Sequence, residues 1–349
     1  MDPSANIHHI KQELPKKQVT PLVEKLELQK PVPENKTSLV NNIPAALAAP
    51  EKTETTKTPA DTKMRKLKEF SELAEKASLF EFGMAVAGSL FTGFQADWVS
   101  YMHEAFGEFS ENHLMAAQEG HKEVNPFVAG LLKVVSFAFG IKTKEGKSLE
   151  TTTDFVKRQD KLIGALNMLT ASVSGLFIAF KALPAAITGK QALDFSGKIP
   201  ALHFISTKVF PTINAGLMWM TGATKRRLAF DIQKTSYNET NKEEIDGAFT
   251  SGNQDYICGT NSLSLMLRQA VGAVNPRLAN ILEPVLASWI AISAFKEGHS
   301  AYKEHAEEDP KYQLHNLDKS AFGTGFYNLA RKMSKPMGVE LPELNTLAA

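Results

Sequence analysis

Apolar residues first take on a regular spacing at Lys63. Met64, Leu67, Phe70, Leu73, Ala74 and Ala77 recur every three or four residues with charges between them, which predicts an amphipathic helix. This helix leads into Phe82–Ala96, a charge-free stretch in which Gly83 and Ala87, then Ser89 and Gly93, stand four apart. Small residues at that spacing let two helices approach closely. Four more apolar segments follow: Pro126–Ile141, Leu162–Phe180, Val209–Thr224 and Leu278–Phe295. Leu162–Phe180 runs without a charge at close to the ~20 residues a helix needs to cross a hydrocarbon core. The others are shorter or carry Lys133 or Glu283, and a charge is costly at a bilayer centre. No stretch alternates with a period of two. The expected fold is therefore all-α, a bundle with about five apolar helices embedded in a membrane, and a soluble helical bundle is the alternative.

Before this body, residues 1–62 read as a disordered polar tail. Pro3, Pro15, Pro21, Pro31, Pro33, Pro44, Pro50 and Pro59 interrupt any longer helix. The stretch Glu51–Asp61 has too little apolar surface to offset the entropy of ordering. The helical domain is expected over 63–335, with a flexible C-terminus over 336–349. Ser236–Ile257 is polar and reads as a loop, after which Asn261 or Ser262 could cap a helix. Val124-Asn-Pro and Val274-Asn-Pro each open an apolar helix, where Asn can cap and proline is tolerated at the first position.

Charge narrows the function classes. With 39 basic and 38 acidic residues the net charge is +1, which argues against a nucleic-acid partner. Mean hydropathy is −0.19, ordinary for a soluble domain and low for a compact transporter. The first residues, Met1 to Gln12, lack the apolar run of a signal peptide. Basic residues cluster before the first apolar segment, after the second and at Lys225, Arg226 and Arg227, whereas Asp97–Asn125 reads as an acidic loop. If all five segments cross, this alternation places the tail on the cytoplasmic side of a bacterial inner membrane. A cytoplasmic location is the alternative. Lys225, Arg226 and Arg227 are then candidates for anionic lipid headgroups. Membrane lipids are the expected partners, with a protein partner recruited by the tail or by small-residue helix faces.

Candidate chemistry is sparse, and no cofactor is expected. His103, His121 and Glu123 are sensible ligand types for a divalent metal, without the spacing of a zinc-protease helix. Asp97, followed by Glu123-Val-Asn125-Pro126 opening another apolar helix, resembles a group of small bacterial membrane proteins of unknown function. That resemblance implies a location and not an activity, and makes Asp97, Glu123, Asn125 and Pro126 a polar helix-end motif. A second stretch, Gln254 to Leu267, is similar to the nucleophile helix of papain-like cysteine peptidases. By that likeness Cys258, the lone cysteine, is the nucleophile at a helix start and Gln254 the oxyanion donor. The expected function is a structural, interaction or transport-related role in a membrane. The alternatives are a cysteine hydrolase and a soluble scaffold or effector with a partner-binding tail.

Overall fold

The computed structural model describes residues 59–118, 123–189, 198–236, 242–303 and 315–343, and among these there is no strand. The elements are α1 (Pro59–Phe91), α2 (Ala96–Gln118), α3 (Pro126–Ala138), α4 (Thr152–Lys157) and α5 (Gln159–Phe177). A π-helical turn, Ile178–Ala182, carries α5 into α6 (Leu183–Thr188). A second, Ile205–Val209, joins α7 (Pro200–Phe204) to α8 (Phe210–Ser236). Then come α9 (Lys242–Val274), α10 (Pro276–Lys303), α11 (His315–Lys319) and α12 (Ala321–Ser334).

The helix starts carry the expected chemistry. Asn125 accepts from the Phe127 amide at 2.9 Å with Pro126 in the first helical position, and Asn275 accepts from Leu278 at 3.2 Å. Thr151 and Asp154 form a capping box at α4, and its hydrogen bond to Thr151 holds the exposed Asp154 carboxyl below its usual range. Between α1 and α2 the chain reverses in four residues, with Gly93 and Phe94 in the left-handed region and the Phe94 amide closing on Ser89.

α2 is the axis. It packs against α1, α5, α9 and α10, while α8 packs against α1 and α9. None of its residues from Ala96 to Ala117 is exposed. Contacts fix the directions. Lys181 donates to the Gly93 carbonyl, Arg268 meets Asp97, and Glu283 accepts from the Ala96 amide, all at one end. At the other end His113 meets Asn125, Tyr302 stacks edge-on against Phe139, and α12 covers α8. The long helices therefore alternate up and down around α2.

Helices α5 and α10 come closest where Gly164 faces Gly298. A Cβ on Gly164 would stand 2.5 Å from the Gly298 carbonyl oxygen and 2.5 Å from the Tyr302 amide nitrogen, both backbone atoms that cannot swing away. Gly164→Leu is expected to cost at least ~1–3 kcal/mol in a reversible unfolding measurement. Gly175→Leu, on the same stretch of helix with open space around it, should be near neutral. Equal stability of the two variants would refute this crossing. The predicted small-residue face at Gly83 is not a close approach, since nothing lies near its Cβ position.

The structure differs from the sequence-based expectation in several places. Two described helices, not five, are long and apolar enough to cross a membrane, Gln159–Thr188 and Pro276–Lys303. The Phe82–Ala96 and Val209–Thr224 stretches are the apolar parts of α1 and α8, whose remaining turns are charged. Most of the predicted acidic loop is α2, and from Lys242 onward the predicted Ser236–Ile257 loop belongs to α9. In both, polar side chains find partners inside the bundle, so the local polarity that suggests a loop is met by tertiary hydrogen bonds. Within the C-terminal segment 336–349, the residues up to Glu343 are described: Val339 and Leu341 are buried and the Tyr327 hydroxyl donates to the Pro342 carbonyl at 2.9 Å. The tail expected over 1–62 lies outside the described residues as far as Thr58, and so do residues 344–349. Helix α1 begins at Pro59.

Candidate functional site

Asp97, Tyr101, Glu104, Glu108 and Glu111 follow one another along α2 at steps of four, three, four and three. That spacing puts them in one stripe on a helix, about 21 Å long at 1.5 Å per residue. All five are buried. A buried carboxylate is costly unless charges or hydrogen bonds compensate it, and the neighbouring helices supply most of that compensation.

At the α1–α2 turn, Arg268 of α9 holds Asp97 at 2.6 Å and lies 3.7 Å from Glu283 of α10, and it also donates to Gln95. One turn on, the Tyr101 hydroxyl donates to Glu81 of α1, and the Cys258 thiol donates to the same carboxylate oxygen at 3.1 Å. Glu104 accepts from the Asn261 amide at 2.6 Å, and Asn261 in turn accepts from the Trp289 indole at 3.1 Å. Further down, the Lys225 ammonium reaches Asp255 at 3.0 Å, Glu108 at 3.7 Å, Asn112 at 2.7 Å and Ser251 at 2.6 Å. Gln254 presents its amide nitrogen to Glu111. Beside these, Arg226 pairs with Asp318 at 2.8 Å and Arg227 donates to the Asp318 carbonyl and to Thr324 at 2.9 Å, which ties α11 and α12 to α8.

The ladder ends at His113. Its Nε2 accepts from the Asn125 amide at 2.8 Å, so the proton sits on Nδ1, which donates to Glu75 at 2.9 Å. This contact joins the start of α3 to the far end of α2.

A small cavity of about 10 Å³ opens beside the middle of the ladder, between Glu104, Glu108, Asn167, Gln254, Cys258 and Glu297. It has room for about one water molecule. Two of the oxygens buried around it, Oε2 of Glu104 and Oε1 of Glu297, have no hydrogen-bond partner.

Several predicted site residues stand elsewhere. Asp97 lies in the first turn of α2, whereas Glu123, Asn125 and Pro126 lie beyond its last turn. The length of α2 separates the halves of the helix-end motif: Asp97 is an interior ion-pair partner, Asn125 and Pro126 are a helix start, and Glu123 is exposed. Lys225 and Arg226, taken as headgroup contacts, are buried in ion pairs, and Arg227 is partly buried against α11 and α12. Cys258 sits in the middle of α9, not at a helix start, and burial together with its bond to Glu81 removes the setting that activates a thiol. Gln254 is occupied by Glu111, one turn earlier on the same helix. His103 bonds Ser174 of α5 at 2.6 Å, whereas Glu123 lies beyond the last turn of α2 and His121 lies outside the described residues. Among the described residues no group of three or more histidine, cysteine or acidic side chains could hold a metal ion. Sequence reasoning missed Glu81, Lys225 as an interior cation, Asp255, Arg268 and Glu297. The signal for the axis itself was present in the 4-3-4-3 spacing of four acids and Tyr101 along α2.

No family model, curated protein or solved structure matches this chain.

Proposed function

We propose that this chain is an integral membrane protein whose helices surround a polar axis, with a transport-related role in handling a small charged solute. The observation that carries this reading is a polar stripe inside the bundle combined with apolar outward faces on α6 and α10. Charged and hydrogen-bonding side chains run through the interior along α2, beside the apolar core, while the exposed positions of α6 and of α10 from Leu278 to Phe295 are mostly apolar, as are Val173 and Leu176 at the end of α5 and Phe180 of the π-helical turn. Phe180 is 81% exposed, Ile187 83% and Trp289 63%. In water such a surface invites association, and in hydrocarbon it is the favourable one.

Dimensions support the same reading. On α10 the exposed positions between Arg277 and Lys296 include Leu278, Ile281, Val285, Trp289, Ile292 and Phe295. Nineteen residue steps separate the two flanking cations, about 28 Å along a helix, close to the hydrocarbon thickness of ~30 Å. Only 44% of the most apolar window of α10 is buried, whereas a core helix of a soluble protein is covered on most sides. Lys181, partly buried in the apolar α5–α6 arm, turns its ammonium back to the carbonyls of Gly93 and Phe94. Between α6 and α10 an apolar groove of about 640 Å³, lined by Ile187, Ile281, Val285 and Trp289, has the character of a bed for an acyl chain.

Alkaline carbonate extraction of membranes from cells making the full chain tests the proposal. Retention in the membrane pellet, with flotation alongside lipid, is the expected result. Quantitative release into the soluble fraction would sink it, and the apolar faces would then belong to contacts with another protein.

A further inference from the structure

The cavity between α2, α5, α9 and α10 has an unusual donor balance. Its two free buried atoms, Glu104 Oε2 and Glu297 Oε1, are both acceptors when their carboxyl groups are ionised. Glu104 is 8% exposed and already uses its other oxygen on Asn261. The surrounding charges do not supply the missing donor. Glu81 of α1, Glu108 and Glu111 of α2, Asp255 of α9 and the Cys258 thiol all face this region, and Asp160 of α5 approaches Glu111. Lys225 of α8 is the cation among them, and its ammonium is engaged by Asp255, Asn112, Ser251 and Glu108. Six buried or half-buried carboxyl groups around one ammonium cannot all stay ionised in a place with room for a single water.

We infer that this cavity is a proton-binding site, with Glu104 and Glu297 as the groups that take up the proton. Resting on the transport reading above, it identifies the charged solute as the proton. Uptake forms one O–H bond on a carboxylate oxygen and breaks one in the hydronium or water that delivers it, with no redox change. The proton turns one of the two acceptors into a donor, and a single water in the cavity can bridge it to the other. A divalent metal does not suit the site, because among the described residues no three ligating side chains converge.

The test is infrared spectroscopy of the full-length protein in detergent or lipid nanodiscs, reading the C=O stretch of neutral carboxylic acids as pH is changed. The wild-type protein should show this band near neutral pH, downshifted in D₂O and unaffected by exchanging sodium for potassium. Glu104→Gln and Glu297→Gln should each reduce its intensity and alter the titration of what remains. Absence of the band near neutral pH, or a band that neither substitution changes, would overturn the site. Loss of the band on adding sodium would overturn it in favour of a metal-cation site. Where one substitution prevents folding, judged by circular dichroism, the other variant and the wild-type ion and D₂O responses still decide. Carbonate extraction answers separately: a protein released from membranes that keeps the band retains the proton site and loses the transport reading.

Discussion

Lys225→Met is expected to destabilise the bundle by about 3–5 kcal/mol, the cost of leaving a buried charge without its partner. The ammonium is 1% exposed as a residue and binds groups on two helices, Asp255 and Ser251 on α9 and Asn112 and Glu108 on α2. Methionine fills a similar volume, so the loss isolates charge and hydrogen bonding from packing. Thermal or denaturant unfolding followed by circular dichroism measures it. Adding Asp255→Asn should return part of the stability, because the second change removes one of the stranded carboxylates. Lys225→Arg should recover little, since the planar guanidinium does not fit four acceptors arranged around a compact ammonium. A Lys225→Met variant within about 1 kcal/mol of wild type would mean that the axis is hydrated and the ion pairs add little.

How much of this arrangement was legible in the sequence depends on the sign of the polarity. The helical body was readable, because the three- and four-residue spacing from Met64 to Ala77 survives as α1 and the Asn-Pro starts survive as caps on α3 and α10. The polar axis was misread for a specific reason. Asp97–Asn125 carries six acids and few apolar runs, and in water such a segment faces solvent. Here four of those acids, Asp97, Glu104, Glu108 and Glu111, meet Arg268, Asn261, Lys225 and Gln254, which lie more than a hundred residues further along the chain. A local window cannot contain such partners. What it can contain is the step pattern of Asp97, Tyr101, Glu104, Glu108 and Glu111, which follows the seam of a buried helix and differs from a solvated face only in what covers it. Lys225-Arg226-Arg227 was misplaced for the same reason. A basic triplet after an apolar run resembles a membrane-surface anchor, but α8 continues through it to Ser236 and packs the first two side chains inward.

Val285→Arg separates the membrane from every soluble alternative with a large effect. Val285 is 54% exposed, lines the apolar groove with Ile281 and Trp289, and lies eight residues from Arg277 and eleven from Lys296. On a protein surface in water, replacing a half-exposed valine by arginine changes stability by about 0.5 kcal/mol or less. Near the middle of a hydrocarbon layer the same arginine costs ~2.5–3.5 kcal/mol on insertion scales. Its side chain can reach neither interface cheaply, because both lie more than two helical turns away. The expected result is a sharp drop in the amount of full-length protein that floats with membranes, with Val285→Leu unchanged. Arg277→Leu should leave flotation intact, since that position lies at the end of the apolar stretch and an apolar residue costs little there. If Val285→Arg accumulates in the membrane fraction like wild type, the exposed face of α10 does not meet lipid. The polar axis along α2 would then be the interior of a bundle whose apolar faces are covered by protein.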